Sequence, residues 1–271
     1  MKLDNCAYLD GVLFGKHTCG FYSCIHEVRS ALWRLLREGV IPERISFRHT
    51  LHRYKDRRST DLYPILFSMD ELSRDLLPEM RSLPSGRFLP TRMKYEDFPF
   101  ELAGLIERAY FNPSERVLQR MDELRHQYQI DPANTLGVLH RGTDKRREVK
   151  LRGPKAWAEQ IEKQDEGLRV WIQTDCVGTR TALKGMFRGK REVFHVEQLP
   201  AGRTYQSPQR NRDEWSVTFE SVMRLLGQCD SLITHAGNCG ITPLIYKGKI
   251  GKCVTLRHTG EFADIGKIFL A

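Results

Sequence analysis

The sequence lacks the residue spacings that identify several common kinds of site. Its seven cysteines include no C-x-x-C pair, which argues against a zinc or dithiol redox centre of that type. No apolar run approaches the roughly 18 to 20 residues that cross a bilayer. The N-terminus runs into a charged and polar segment that does not fit a signal peptide. Because scattered thiols fit a reducing compartment, we expect a soluble, cytoplasmic protein.

Three nucleotide-related motifs are also missing. G-x-G-x-x-G does not occur, which argues against a dinucleotide-binding dehydrogenase, and the loop from Gly15 to Gly20 lacks the P-loop spacing G-x-x-x-x-G-K-[ST]. No D-x-D occurs, which argues against a glycosyltransferase that holds its nucleotide sugar through a metal ion. A diphosphate site in this chain has to offset the ligand's charge with side chains and helix dipoles. We therefore expect no metal and no other cofactor.

Positive charge, by contrast, is abundant. The 271 residues include 43 Lys and Arg against 34 Asp and Glu, which gives a net charge of +9. This excess favours an anionic partner: nucleic acid, a phosphorylated small molecule or an acidic membrane surface. A basic segment with interleaved aromatic residues at 49–58 leaves a nucleic-acid-binding protein open as an alternative, although no DNA- or RNA-binding motif supports it.

The second half of the chain alternates strand and helix patterns. Strands are predicted at 136–140, 168–173, 192–196, 231–234 and 252–255, and helices at 154–163, 178–187, 214–227 and 240–246. Such alternation predicts βαβ units in a parallel sheet that is covered by helices on both faces. The first half predicts a strand, a Gly-containing loop, a helix at 21–37, a helix at 98–110 and another with Asn112 as its N-cap. We predict an α/β protein of two lobes, 1–132 and 133–271.

The first strand of the second lobe ends in a turn that is rich in cations. Arg141 follows the strand directly, and Asp144, Lys145 and Glu148 lie in the turn. The carboxyl ends of strands in an open α/β sheet face the crevice where ligands bind, and an arginine can bind phosphate oxygens bidentately. A solvated basic loop is the alternative for this stretch taken alone.

Two further strand ends carry polar groups. One strand closes on Asp175, and another leads through His235, Gly237 and Asn238 into a helix whose N-terminus can bind phosphate. Taken singly, Asp175 fits a helix N-cap and His235 fits a buried structural histidine. Because the three ends share one edge of a parallel sheet, we expect them to converge on a single crevice.

In the first lobe, the loop from Gly15 to Gly20 contains Lys16 and His17 and can present them to a ligand. The sequence by itself favours a polar loop residue over a catalytic base for His17.

The three strand ends resemble the motifs of the α1,2-, α1,6- and protein O-fucosyltransferase superfamily. Its first pattern, H-x-R-x-(T/G)-D-K, is matched from Arg141 to Lys145. A strand that ends in (S/T)-D is matched at 174–175, and a strand followed by a small-residue turn and a helix is matched at 234–238. Order and spacing agree from position 137 to position 251.

The chain departs from the first pattern at two positions. Leu139 stands where the superfamily has its histidine, and His140 follows one place later, so its ring should point to the opposite side of the strand. Gly142 replaces the second arginine of the α1,6 enzymes. Both departures leave the donor open, and a UDP-sugar such as UDP-xylose is the alternative to GDP-fucose.

The resemblance implies a two-lobed fold of the GT-B type, with Rossmann-like lobes, and a function. The chain would be an inverting, metal-independent glycosyltransferase that moves fucose from GDP-fucose to a glycan or protein acceptor, with the acceptor bound on the side of Lys16 and His17. Arg141 would bind the donor β-phosphate and stabilise the departing nucleotide. The acceptor base would be Glu148, His17 or no residue at all. The resemblance and the polar strand ends together assign donor binding to one set of residues: Arg141, Asp144, Lys145, Asp175, His235, Gly237 and Asn238.

Overall fold

The computed structural model describes residues 3–70, 77–81, 98–142, 152–199, 201, 210–247, 252–257 and 259–265 as a mixed α/β structure. The helices are α1 (Phe21–Arg37), α2 (Tyr63–Leu66), α3 (Leu77–Arg81), α4 (Phe100–Tyr110), α5 (Glu115–Tyr128), α6 (Pro154–Glu162), α7 (Val177–Met186), α8 (Arg212–Gln228) and α9 (Asn238–Lys247). The strands are β1 (Cys6–Leu9), β2 (Val12–Gly15), β3 (Arg44–Ser46), β4 (Phe67–Ser68), β5 (Asn112–Pro113), β6 (Thr135–His140), β7 (Arg169–Thr174), β8 (Val193–Phe194), β9 (Ser231–His235), β10 (Lys252–Leu256) and β11 (Phe262–Asp264).

The second half of the chain forms a six-stranded sheet in the order β11-β10-β9-β6-β7-β8. All neighbouring pairs in it are parallel except β10 and β11, which are antiparallel. The alternation of strands and helices predicted from position 135 onward is therefore confirmed. The short edge strand β11 was not predicted, because three residues are too few to show a hydrophobic period.

Helices cover both faces of this sheet, as predicted. Successive side chains of β6 point to opposite faces. Leu136 and Val138 pack into a buried cluster with residues of α6 and α7, whereas Leu139 packs into the cluster that contains α8 and α9. Gly137 brings α8 close, because a Cβ at this position would lie 3.0 Å from Cδ2 of Leu226.

The first half contains a smaller sheet in the order β1-β2-β3. Strands β1 and β2 form an antiparallel hairpin around Asp10 and Gly11, both of which have positive φ. Strands β2 and β3 are parallel and joined through α1, so the carboxyl ends of both strands lie at the same edge. Helix α1 has the predicted bounds and is buried along most of its length.

Helix α5 starts two residues later than the sequence predicts. Asn112 is not its N-cap, because Asn112 and Pro113 form the short strand β5, which pairs with β4. The N-cap is Ser114, whose Oγ accepts a hydrogen bond of 3.3 Å from the backbone N–H of Val117. Pairing with β4 holds the preceding residues extended, so the helix begins at the next residue with a capping hydroxyl.

The largest hydrophobic cluster extends across the predicted lobe boundary. It contains residues of α1 and α5 from the first half and residues of α8 and α9 from the second. Helix α8 is hydrogen-bonded to α5, with 3.1 Å between Oγ of Ser221 and the carbonyl oxygen of Val117. The boundary at residue 132 stays a prediction.

Within the described ranges, no helix is both long enough and apolar enough to cross a bilayer.

Candidate functional site

Arg141 lies at the carboxyl end of β6 and faces the ends of two other strands. Its side chain is 17% exposed, and Nε is 3.8 Å from Oδ2 of Asp175, which follows β7. Nη1 donates a hydrogen bond of 3.0 Å to the thiol of Cys239, in the first turn of α9. A single guanidinium thus contacts groups at the ends of β7 and β9, and the predicted convergence of the three strand ends is confirmed.

Asp175 fixes the path of the chain after β6. Its carboxylate is 1% exposed, and Oδ1 accepts a hydrogen bond of 2.7 Å from the backbone N–H of Gly142. The alternative role of Asp175 as an N-cap is not observed. Helix α7 begins after Cys176, and no side chain caps it. The buried carboxylate instead holds the backbone next to Arg141 and supplies the opposite charge.

His140 points away from Arg141, to the other face of the sheet, as expected. Its ring packs edge-on against Trp157 with 5.0 Å between ring centroids, and Nδ1 lies 2.8 Å from Oγ1 of Thr174. Burial lowers the pKa of His140 to about 4, against an opposing effect of Asp175. The imidazole is therefore neutral near pH 7 and belongs to the packing of the sheet.

The two departures from the fucosyltransferase pattern belong to one packing arrangement. A Cβ added to Gly142 would lie only 2.7 Å from Cε1 of His140. Any side chain at position 142 therefore requires the His140 ring to move, because heavy atoms do not approach so closely. With the His140 ring in its observed position, only glycine fits at position 142.

The turn between β9 and α9 is the tightest part of the site. Gly237 has a φ of +142°, and a Cβ on Gly240 would lie 1.7 Å from the carbonyl oxygen of His235. Oγ1 of Thr234 donates a hydrogen bond of 2.8 Å to the carbonyl oxygen of Gly240 and closes the turn. The N-terminus of α9 is thereby presented beside Arg141, with its backbone N–H groups and the positive end of its dipole.

Three predicted donor residues, His235, Gly237 and Asn238, lie in or beside this turn. His235 is buried, and its Nδ1 lies 3.0 Å from the carbonyl oxygen of Ala236, so its ring folds back on the turn. The side-chain Oδ1 of Asn238 is buried and accepts no hydrogen bond from the part of the chain that the structure describes. A buried acceptor of this kind is costly unless a ligand satisfies it.

Lys16 and His17, the predicted acceptor-side residues, follow β2. Lys16 is exposed. Nε2 of His17 lies 3.3 Å from Oγ of Ser23, at the start of α1, and its carbonyl oxygen accepts hydrogen bonds from the thiol of Cys24 and from Thr50. The His17 backbone is therefore anchored, whereas the Lys16 side chain faces solvent.

Tyr54 packs between the start of α1 and helix α8, and sequence reasoning missed it. Burial raises the pKa of Tyr54 to about 12, with further increases from Cys239 and Cys24 and an opposing decrease from Arg141. The Tyr54 ring packs edge-on against Phe21, the first residue of α1, with 5.3 Å between ring centroids. Its ring stacks on Trp215 with 5.6 Å between centroids. Tyr54 belongs to the basic 49–58 segment. The charged residues of that segment predict an exposed loop, so the sequence does not reveal that this aromatic residue is buried.

Asp144, Lys145 and Glu148 lie outside the described residues. In the ranges that are described, no three His, Cys, Asp or Glu side chains are grouped as metal ligands would be. Metal independence stays a prediction.

A cavity lies at the opposite edge of the large sheet. Its lining includes Leu168, Ser231 and Lys252, which belong to the amino-terminal ends of the strands or precede them. It is separate from Arg141 and Asp175, which stand at the carboxyl ends.

No family model and no curated protein matches the sequence. Among solved structures, the chain is similar to crystal structures of the alpha-1,6-fucosyltransferase NodZ. NodZ from Bradyrhizobium gives a TM-score of 0.59 at 14% identity, over 93% of this chain and 98% of that one. NodZ co-crystallised with GDP gives 0.57 at 15% identity, over 93% and 96%. NodZ soaked with GDP-fucose gives 0.59 at 15% identity, over 93% and 97%. The similarity is one of fold and supports the predicted GT-B architecture.

Proposed function

We propose that this protein is an inverting, metal-independent glycosyltransferase that transfers fucose from GDP-fucose to a glycan or protein acceptor. The observation that carries the proposal is the contact of Arg141 with both Asp175 and the first turn of α9. This contact occurs in a chain whose fold resembles that of NodZ, an alpha-1,6-fucosyltransferase co-crystallised with GDP and soaked with GDP-fucose.

In this proposal the donor diphosphate binds between Arg141 and the N-terminus of α9. A guanidinium and a helix N-terminus both attract phosphate oxygens, and Arg141 is partly exposed and so accessible to a ligand. The unsatisfied Oδ1 of Asn238 would accept a hydrogen bond from a hydroxyl or N–H of the donor. The resemblance adds Asp144 and Lys145 as further donor-binding residues.

Reaction at the sugar would be a displacement with inversion. An acceptor hydroxyl attacks the anomeric carbon from the face opposite the nucleotide, and the bond between that carbon and the β-phosphate oxygen breaks. The nucleoside diphosphate departs with the bonding electrons, and its added negative charge is stabilised by Arg141 and the α9 dipole. The acceptor proton passes to Glu148, to His17 or directly to solvent.

We place acceptor binding at the carboxyl edge of the small sheet, near Lys16 and His17. His17 is linked to Ser23 at the start of α1, and the Tyr54 ring packs against Phe21 in the same turn of that helix. We further propose that residues 1–132 form the acceptor lobe and residues 133–271 the donor lobe. Seven cysteines with no C-x-x-C spacing support a cytoplasmic location.

Thermal denaturation with nucleotides tests the proposal first, because a ligand that binds only the folded state raises the melting temperature. The panel is GDP, UDP, ADP, GDP-fucose and UDP-xylose, each with EDTA and with Mg²⁺ at fixed salt. We expect a shift with GDP and GDP-fucose that EDTA does not abolish, followed by release of fucose from GDP-fucose. A shift confined to UDP and UDP-xylose would change the donor, and the absence of any nucleotide shift would overturn the proposal.

A further inference from the structure

A buried polar network joins α1 to three other helices. The guanidinium of Arg29 donates to Glu107 on α4 through Nε at 2.8 Å and through Nη2 at 2.5 Å. Nη2 also lies 3.3 Å from the hydroxyl of Tyr246 on α9, and that hydroxyl donates to Glu220 on α8 at 2.6 Å. Tyr22 on α1 donates to the same carboxylate at 2.8 Å. Each of the two buried carboxylates is therefore paired with hydrogen-bond donors.

Arg29 also determines which nitrogen of His26 carries the proton. Nδ1 of His26 lies 3.3 Å from Nη1 of Arg29, and a guanidinium can only donate hydrogen bonds. Nδ1 must therefore be the acceptor, and the proton of the neutral ring sits on Nε2. Burial, and then the charge of Arg29, lower the pKa of His26 well below its ordinary value, so the ring stays neutral.

The Nε2–H group of His26 is aimed at the turn of the proposed donor site. It lies 3.0 Å from the carbonyl oxygen of Asn238, the first residue of α9. The same carbonyl oxygen accepts a hydrogen bond of 2.7 Å from Oγ1 of Thr242, one helical turn later. A residue of the first half of the chain thus holds the backbone of the turn that presents the α9 N-terminus beside Arg141.

We propose that His26 is a positioning residue of the donor site, and that its hydrogen bond to the Asn238 carbonyl, together with that of Thr242, sets the orientation of the phosphate-binding turn. This inference rests on the proposed function. Small displacements of preorganised N–H groups weaken anion binding without unfolding the protein. Loss of the His26 hydrogen bond should therefore reduce nucleotide affinity beyond any loss of stability.

Three variants distinguish an effect of His26 on the orientation of the phosphate-binding turn from an effect on the stability of the fold. His26→Leu removes the hydrogen bond, and His26→Gln keeps an amide N–H near the position of Nε2. Val28→Ala is the matched control, because Val28 is a buried residue of the same helix that faces Gly15 of β2. The dissociation constant of GDP is measured by calorimetry at a temperature where each variant is folded, and the melting temperature without nucleotide is recorded in parallel.

We expect His26→Leu to weaken GDP binding about tenfold, which corresponds to about 1.4 kcal/mol. His26→Gln should recover most of the GDP affinity. Val28→Ala should lower the melting temperature and leave the GDP affinity unchanged. Equal GDP affinity in His26→Leu and the unmodified protein would overturn the inference, and so would a His26→Gln variant as weak as His26→Leu.

Two other results have separate consequences: a His26→Leu variant that does not fold, and an unmodified protein that does not bind GDP. If His26→Leu does not fold, Thr242→Val, which removes the other donor to the Asn238 carbonyl, is measured in the same way, and unchanged GDP affinity there overturns the inference. If the unmodified protein does not bind GDP at all, the proposed function fails, and this inference fails with it.

Discussion

Arg141 and Asp175 form an unequal pair: the carboxylate is 1% exposed and the guanidinium 17%, with 3.8 Å between Nε and Oδ2. The Asp175 carboxylate is held in place by the hydrogen bond that it accepts from the Gly142 N–H. The arginine side chain remains partly exposed, so under the proposed function a donor phosphate can reach it. This division fits a site in which the protein fixes the cation and an outside anion completes its coordination.

Removing the Arg141 guanidinium should lower turnover even under conditions in which the variant stays folded. In Arg141→Ala we expect sugar transfer to fall by about a hundredfold or more, since loss of one preorganised donor to a developing oxyanion has effects of this order. The melting temperature should fall as well, because the buried Asp175 carboxylate loses its opposite charge, and turnover is therefore compared at a temperature at which both proteins are folded. GDP-fucose hydrolysis and thermal denaturation measure the two effects.

The control is Arg188→Ala, which removes the same charge from an exposed position after α7. Equal turnover in the two variants would contradict the proposed electrostatic role of Arg141.

Gly240 should not tolerate any side chain. An added Cβ would meet the carbonyl oxygen of His235 at 1.7 Å, and a backbone atom cannot move aside as a side chain can. We expect Gly240→Ala to destabilise the protein by about 4 kcal/mol or more, among the largest effects of single substitutions. Denaturant unfolding measures the change.

Gly185→Ala provides the opposite expectation. Gly185 lies within α7, and a Cβ there meets no atom within 4 Å. Alanine should stabilise this helix by roughly 0.5 to 1 kcal/mol. A stable Gly240→Ala variant would contradict the tight geometry of the turn between β9 and α9.

His140 should make stability fall in mild acid. The pKa of His140 in the folded state is about 4, below its ordinary value of 6.5. Above pH 6.5 the residue is neutral in both states, so His140 does not lower the free energy of unfolding there. As the pH falls from 6.5 toward 4, the unfolded chain binds a proton that the folded protein does not. The free energy of unfolding therefore decreases, by roughly 2 to 3 kcal/mol between pH 7 and pH 4.5.

Urea unfolding at several pH values checks this against His140→Gln. Carboxylates and His26 titrate in both proteins, so their contribution cancels in the difference between the two curves. Parallel curves for the two proteins would show that His140 does not cause the acid sensitivity.

Glu107 and Glu214 should differ in their importance for stability. Glu107 is 6% exposed and pairs with Arg29, whereas Glu214 is 44% exposed and pairs with Arg116. Glu107→Gln leaves a buried guanidinium poorly compensated and should cost about 3 to 5 kcal/mol. Glu214→Gln should cost about 1 kcal/mol or less. Chemical denaturation of both variants gives the comparison, and equal losses would rule out a special role for burial.

The sequence was most informative where a local period was strong. Helix α1 and the strands from β6 to β10 follow from apolar residues at regular spacing, and the polar groups at Arg141 and Asp175 follow from the rule that ligands bind at strand ends. The N-cap of α5 was placed wrongly, because nothing within 112–115 shows that β5 pairs with β4, more than forty residues away. Long-range pairing is not encoded in a local pattern.

The buried network could not be predicted for the same reason. His26 and Arg29 share one face of α1, but their partners Asn238 and Glu107 come from distant parts of the chain. In the sequence Arg29 is one basic residue among 43 Lys and Arg, and its burial is visible only in the folded structure. Tyr54 was missed similarly, since its neighbours at 52–58 are mostly charged.

Helix α8 belongs to both halves of the molecule at once. Its Ser216 hydroxyl donates to the carbonyl oxygen of Tyr54, its Glu220 accepts from Tyr22, and its Leu226 lies close to Gly137 of the large sheet. Neither half can therefore be exchanged for that of a related protein as an independent module, because the graft would have to reproduce contacts on every side of one helix. Such a chain should melt in a single calorimetric transition.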